Sequence, residues 1–280
     1  MSGIDYEVEY NNRARVPEHT EIQERWSKAS QRFRAEAKAD LDLPYGPRER
    51  NRLDLFHARA GIAGSPLVLY VHGGYWQRGT REDNAFVARE LTEAGVSVAV
   101  TSYTLCPDAS IMEIVAEIRA AIRLLWGRLR RRPVVVGHSA GGHLAAAMLA
   151  TSWGEHGAVP VDLVRASYSI SGVFDLPPLV GTSLNGALGL DAESARTASP
   201  LLWPAPPAHR ISIAAVGGQE SQEFIRQSLD LTAAWSDAGG KAECVIVPDT
   251  NHFTIVDELA RKESAMVARI AELAIASARD

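Results

Sequence analysis

Short apolar runs recur along the chain from residue 67 onward, and segments with helical periodicity separate them. Six of these runs predict strands, at residues 67–71, 96–101, 134–137, 163–170, 211–216 and 243–247. The runs are mostly continuous rather than alternating, which is typical of parallel strands buried on both faces. Residues 52–57 alternate between apolar and polar side chains and predict a further strand before this series.

Apolar positions at helical spacing lie between these runs. The clearest set predicts a helix that starts near residue 111, and it consists of Ile111, Ile114, Val115, Ile118, Ile122 and Leu125. Further helices are predicted around residues 22–33, 224–235 and 255–273. Strands that alternate with helices indicate an α/β fold, in which helices flank a mostly parallel central sheet.

The domain organisation is predicted to be a single domain, residues 1–280, with two additions to the sheet. Residues 1–43 form an N-terminal helical segment, which Pro44, Gly46 and Pro47 end. Residues 172–210 depart from the strand–helix rhythm and are rich in proline, so we predict a small cap or lid insertion there. The 280 residues, of which 46% are hydrophobic and 22% are charged, are enough for one large core.

Charge and apolar patterning exclude several classes of partner. A net charge of −5 gives no overall basic field toward nucleic acid or an anionic membrane. No apolar run approaches the ~18 residues that cross a bilayer, and residues 1–10 are polar rather than a signal peptide. We therefore expect a cytoplasmic protein that acts on a small molecule, and its oligomeric state stays open.

Two local features are expected to be structural. The basic run at residues 128–132 follows a helical pattern, and a helix C-terminus favours cations, so a phosphate site is the weaker alternative. Cys106 and Cys244 lie far apart in the chain and are expected to be buried, reduced thiols rather than a disulfide.

A glycine-bounded serine lies at a predicted strand-to-helix junction. Gly-His-Ser-Ala-Gly at residues 137–141 follows an apolar run and precedes the helix-like run 144–149. This is the G-x-S-x-G nucleophile elbow in its strand–turn–helix context. So tight a turn needs unusual dihedrals and small neighbours, and the helix N-terminus favours a developing anion. Ser139 is the predicted nucleophile, whereas an ordinary glycine-rich turn is the structural alternative.

A serine hydroxyl needs a base to take its proton. Of the eight histidines, His252 lies in the loop between the last predicted strand and the last predicted helix. Catalytic groups of open parallel sheets gather at the carboxyl ends of the strands, so His252 is the predicted base. His138 adjoins the serine but is expected to point to the opposite side of the turn.

The base needs an acid that orients it, and three carboxylates are candidates. In such folds the acid follows the strand before the histidine loop, and Glu220 lies just after the run 211–216. Asp249 lies in the same loop as His252, where its side chain is as suited to shaping the turn as to orienting the base. Glu223 lies one helical step further and is expected to be solvated. Glu220 is the predicted acid.

The oxyanion of an acyl-transfer intermediate needs backbone N–H donors. Gly73 and Gly74 follow the predicted strand 67–71, and a double glycine there lets N–H groups turn toward the serine. Together with the N–H of Ala140 they form the predicted oxyanion hole. Zinc-binding and phosphate-loop motifs do not occur in the sequence, so no metal and no cofactor is predicted.

These residues resemble the α/β-hydrolase fold, and more narrowly its kynurenine formamidase (arylformamidase) branch beside the hormone-sensitive-lipase-like esterases. The resemblance extends over about residues 40–275 and rests on residues 45–46, 53–56, 72–77, 137–143, 219–224 and 252–253. The elbow is common to the superfamily, whereas Tyr-Trp-Gln at residues 75–77 is more particular to the formamidases. One departure is Glu220, where the formamidase pattern usually has Asp.

The resemblance implies a metal-free serine hydrolase that deformylates an aryl formamide such as N-formylkynurenine and releases formate. Tyr75 and Trp76 are predicted to present an aromatic wall to the aryl group, with core packing as the alternative for Trp76. A general carboxylesterase for small acyl esters would use the same residues. A hydrolase-fold protein that only binds small molecules is the alternative from another class.

Overall fold

The structure is a computed structural model, and it describes residues 3–61 and 63–279. Within these residues, eight strands form one sheet in the order β1-β2-β4-β3-β5-β6-β7-β8. The strands are β1 (Ala39–Pro44), β2 (Arg52–Phe56), β3 (Leu67–Val71), β4 (Ser97–Thr101), β5 (Pro133–His138), β6 (Ala166–Ile170), β7 (Ile211–Gly217) and β8 (Lys241–Val247). β2 pairs antiparallel with β1 and β4, and the other neighbouring strands pair parallel. The predicted mostly parallel sheet is confirmed.

Helices cover both faces of the sheet, and a short helical region precedes it. The helices are α1 (Tyr6–Tyr10), α2 (Asn12–Arg15), α3 (His19–Glu36), α4 (Arg81–Asn84), α5 (Ala88–Glu93), α6 (Ile111–Leu129), α7 (Ala140–Ala150), α8 (Asn185–Leu188), α9 (Ala192–Thr197), α10 (Gln222–Asp237) and α11 (Ala265–Ala278). One buried cluster lies between the sheet and α6, α7 and α10. A second cluster lies between the opposite face and α3, α5 and α11. The sheet is therefore buried on both faces, which explains its continuous apolar strands.

The strand register brings four loops together. Val71 at the end of β3 pairs with Gly137 of β5, and Gly217 at the end of β7 pairs with Val247 of β8. Because these strands run parallel, their carboxyl ends meet at one edge of the sheet. The loops after β3, β5, β7 and β8 carry all the predicted site residues to that edge.

The pattern missed several boundaries. The predicted helix at 255–273 is two elements, a 3₁₀ helix at Thr254–Ala260 and then α11, whose N-cap Ser264 accepts a hydrogen bond from the N–H of Met266. The predicted strand at 163–170 starts only at Ala166 because the N–H of Leu163 is used in a turn with Pro160. The predicted helical segment 1–43 contains α1, α2 and α3, but its end was wrong, because residues 39–44 pair with β2 as strand β1.

The basic run and the two cysteines were expected to be structural. Arg130 ends α6 in the left-handed conformation, and its guanidinium lies 5.6 Å from the ring centroid of Trp126. Arg128 is paired with Asp40 at 3.1 Å. Cys106 and Cys244 are free, and Cys106 is buried as expected. The expectation was wrong for Cys244, which is only half-buried because it lies on the edge strand β8. Among the residues that the structure describes, no helix has the length and apolar character that a membrane span requires.

Candidate active site

Ser139 lies on a strained turn between β5 and α7. Its backbone has φ 55° and ψ −117°, a conformation that non-glycine residues rarely adopt, and its N–H donates to the carbonyl of Ile170 at 2.8 Å. A Cβ on Gly141 would lie 2.0 Å from the carbonyl oxygen of Val71, so a side chain cannot fit there. Ser139 is the N-cap residue of α7, but its hydroxyl makes no cap bond. The hydroxyl therefore remains available at the positive end of a helix dipole.

His252 and Glu220 form a buried pair. Nδ1 of His252 lies 2.6 Å from Oε2 of Glu220. Oε1 of the same carboxylate accepts hydrogen bonds from the Ser171 hydroxyl at 2.5 Å and from the Gly217 N–H at 2.7 Å. These bonds fix the carboxylate and place the imidazole proton on Nδ1, which leaves Nε2 free to accept a proton. His252 and Ser139 line the same cavity.

The two rival acids have other places in the structure. Asp249 is exposed and has φ 56° in the turn after β8. Glu223 is buried rather than solvated, so that expectation was wrong. Its carboxylate accepts hydrogen bonds from Arg226 Nε at 2.9 Å and from the Tyr10 hydroxyl at 2.9 Å. Of the three carboxylates, Glu220 is the one in contact with His252.

The predicted oxyanion donors lie around Ser139. Gly73 lies against the turn at residues 138–139. A Cβ on Gly73 would lie 3.0 Å from Cβ of Ser139 and 2.8 Å from the carbonyl oxygen of His138. Gly74 has φ +111°, which favours glycine, and both glycines line the cavity. Ala140 is the first residue of α7. The placement is compatible with the predicted oxyanion hole, whose role remains a prediction.

The two predicted aromatic wall residues differ. Tyr75 lines the cavity; its hydroxyl donates to the carbonyl of Tyr10 at 2.7 Å, and burial raises its pKa well above the usual value. Trp76 is fully buried and packs edge-on against His143, with ring centroids 5.0 Å apart. Trp76 does not line the cavity, so the structure favours core packing for it and the substrate-wall prediction for Trp76 was wrong.

His138 is placed differently from the expectation. It lines the cavity beside His252, and the two ring centroids are 4.7 Å apart. Nε2 of His138 lies 2.8 Å from the backbone carbonyl of His252, to which it donates. Burial and the neighbouring imidazole lower the pKa of His138 well below its usual value. The prediction that His138 points away from the site was wrong, because the strained turn directs this ring toward the loop after β8.

The cavity has a volume of about 650 Å³ and two walls. The inner wall comprises the cavity-lining residues of the loops after β3, β5 and β8, which include Ser139 and His252. The outer wall comprises the cavity-lining residues between positions 7 and 27, together with residues 182–184. Glu7 joins the N-terminal part of the outer wall to residues 182–184. The Glu7 carboxylate accepts hydrogen bonds from the Ser183 N–H at 2.7 Å and from the Ser183 hydroxyl at 2.6 Å. The sequence predicted a cap only at 172–210, and the larger contribution of the N-terminal segment was missed.

Comparison with known proteins agrees with this architecture. The BD-FAE family model matches residues 53–175. Kynurenine formamidase from Salmo salar is 32% identical over 82% of this chain and 80% of its own length. The crystal structure of a protein from Silicibacter sp. tm1040, provisionally called a thioesterase, has a TM-score of 0.85 at 32% identity and covers 96% of this chain and 99% of that chain. EstE5, crystallised with p-nitrophenyl butyrate soaked in, has the same fold at a TM-score of 0.72 and 20% identity, over 92% of this chain and 91% of that chain. The chain is therefore a hydrolase with the α/β-hydrolase fold, and it belongs to the kynurenine formamidase family.

Proposed function

We propose that the protein hydrolyses an aryl formamide, of which N-formylkynurenine is the model substrate, by acyl transfer through Ser139. The observation that carries this proposal is the 2.6 Å contact between His252 and Glu220 on the cavity that the strained Ser139 lines. The similarity to kynurenine formamidase over most of the chain supports the choice of a formamide. A cavity of about 650 Å³ lies in the range of small-molecule sites.

The first half of the reaction forms a formyl ester on Ser139. The hydroxyl oxygen attacks the formyl carbon while Nε2 of His252 takes the hydroxyl proton. Glu220 holds the Nδ1 proton and stabilises the imidazolium that forms. The N–H groups of Gly73, Gly74 and Ala140 receive the oxyanion, and each such donor contributes about 10²- to 10³-fold in rate.

The second half releases formate. The tetrahedral intermediate collapses by breaking its carbon–nitrogen bond, and the imidazolium of His252 gives its proton to the departing aryl amine. A water molecule then attacks the formyl ester while His252 takes one of its protons. Collapse of this second intermediate breaks the bond to Ser139, which recovers its proton, and formate leaves.

The substrate preference is tested by parallel kinetics on N-formylkynurenine and p-nitrophenyl acetate. We expect a higher kcat/KM for N-formylkynurenine, because an aryl formamide is the substrate that the family resemblance implies. A higher kcat/KM for the acetate would instead identify a general carboxylesterase that uses the same residues. No turnover of either compound, with no labelling of Ser139 by a fluorophosphonate, would identify a binding protein.

A further inference from the structure

Two arginines line the cavity without an anionic partner. Arg13 belongs to α2 on the outer wall, and Arg78 follows the glycine loop after β3. Across residues 3–61 and 63–279, neither guanidinium has an ion pair or a side-chain hydrogen bond. By contrast Arg15, two residues further along α2, pairs with Glu9 at 2.7 Å and does not line the cavity.

The carboxylates that line the same cavity are already engaged. Glu7 accepts two hydrogen bonds from Ser183. Asp83 accepts bonds from the hydroxyls of Ser27 and Thr80 at 2.8 and 2.7 Å. Glu24 lies 3.9 Å from Nζ of Lys28. Within residues 3–61 and 63–279, none of these carboxylates forms an ion pair with Arg13 or Arg78.

The two guanidinium groups also act on each other. Arg13 and Arg78 line the same cavity, and burial together with the positive charge of Arg78 lowers the pKa of Arg13. Like charges next to each other are unfavourable unless an anion lies between them. A planar guanidinium matches a carboxylate in two parallel hydrogen bonds, and two of them can share one carboxylate.

We propose that Arg13 and Arg78 bind a carboxylate of the substrate in the cavity that Ser139 lines. The inference rests on the proposed function and deepens it, because it restricts the substrate class to aryl formamides that carry a carboxylate. N-formylkynurenine meets this requirement through its amino acid end. The site thus selects the substrate by its charge, with one arginine from each wall, and cleaves it at Ser139 on the inner wall.

The test compares N-formylkynurenine with its carboxamide, in which a neutral amide replaces the carboxylate. The enzymes are the wild type, the double variant R13Q/R78Q and the control R15Q, which removes a charge from the same helix outside the cavity. The double variant is expected to lower kcat/KM for N-formylkynurenine about tenfold, mainly through KM, and to leave the carboxamide within about twofold. R15Q is expected to leave both substrates unchanged.

Salt gives a second readout. Both arginines are exposed to solvent, so their attraction for a carboxylate is screened by ions. For the wild type, the KM for N-formylkynurenine is expected to rise with sodium chloride while that for the carboxamide stays constant. An equal loss on both substrates in R13Q/R78Q, or no loss on either, would overturn the proposal.

A binding measurement separates this proposal from the proposed reaction. Calorimetric titration of the inactive variant S139A with N-formylkynurenine and with its carboxamide needs no turnover. Tighter binding of the carboxylate form, lost in S139A/R13Q/R78Q, would support the arginine site even if the wild type failed to release formate. Equal binding of the two compounds would reject the site while leaving the formamidase activity intact.

Discussion

The two walls of the cavity are built in different ways. The inner wall, with Ser139 only 2% exposed and His252 5% exposed, follows directly from strand ends that backbone hydrogen bonds hold. The outer wall is held mainly by side chains, such as the Tyr10 hydroxyl that reaches Glu223 from 213 positions away. Backbone pairing therefore positions the predicted reacting groups, whereas the outer wall depends on a few side-chain hydrogen bonds. Catalysis and substrate choice are expected to separate along this division.

The largest effect is expected at the inner wall, from Ser139→Ala. Removing the nucleophile should lower kcat by about 10⁴- to 10⁶-fold, because acyl transfer has no other route in the site. Ser183→Ala is the matched control, since Ser183 lies on the outer wall and its hydroxyl donates to Glu7. Steady-state kinetics with urea unfolding of each variant measure both properties. Comparable kcat for S139A and S183A would remove the distinction between the walls.

Glu220→Gln is the next largest change. The amide cannot stabilise the imidazolium of His252, so kcat should fall by about 10³- to 10⁴-fold. Asp249→Asn, in the exposed turn, should leave kcat within about twofold. Glu223→Gln should lower the free energy of unfolding more than kcat, because Glu223 contacts Arg226 and Tyr10 rather than His252. If D249N loses more activity than E220Q, the acid belongs to Asp249.

Tyr10→Phe probes the attachment of the outer wall. The hydroxyl donates to Glu223 at 2.9 Å and accepts from Gln227 at 2.5 Å, and its loss should lower the free energy of unfolding by about 1–3 kcal/mol. KM should rise several-fold while kcat is retained, because α1 is loosened but the inner wall is not. Tyr6→Phe, on the same helix, is the control. A large loss of kcat with unchanged KM in Y10F would show that the outer wall positions the catalytic groups, which contradicts the proposed division.

The smallest effect concerns acid stability. Burial lowers the pKa of His72 and of His143 to about 4. The unfolded chain, in which a histidine has a pKa of ~6.5, therefore binds a proton more readily than the folded protein does. The free energy of unfolding keeps its full value above pH ~6.5 and falls as the pH drops from there toward the folded pKa. At pH 5 the loss is about 2 kcal/mol for each histidine. Urea unfolding of His143→Gln at pH 7 and pH 5 should show a smaller loss than the wild type. His209→Gln, at an exposed site, should not change the loss.

The inner wall could be predicted from local sequence, and the outer wall could not. Parallel strands with apolar runs fix where their loops emerge, so the G-x-S-x-G motif and the order of the strands together were enough to assign Ser139, Glu220 and His252. Helix α1 is five residues long and is capped by Asp5, a signal too short to distinguish from an irregular segment. Its docking depends on Tyr10 and on partners more than 200 positions away. No local pattern carries such contacts.

Backbone conformation explains the other errors near the site. Tyr75 and Trp76 both have positive φ, 50° and 55°, so the chain turns sharply and carries the Trp76 ring into the core. The same kind of turn at Ser139 brings the ring of His138 toward His252. Sequence patterns give the order of side chains along a loop but not the rare dihedrals that set their directions.

The central claim is that His252 activates Ser139 as the nucleophile at the inner wall. Fluorophosphonate labelling followed by peptide mapping tests it most directly, because the probe reacts only with an activated serine. We expect one label, on Ser139, at a rate that falls sharply in His252→Gln and is zero in S139A. Labelling at another serine, or unchanged labelling of Ser139 in H252Q, would contradict it.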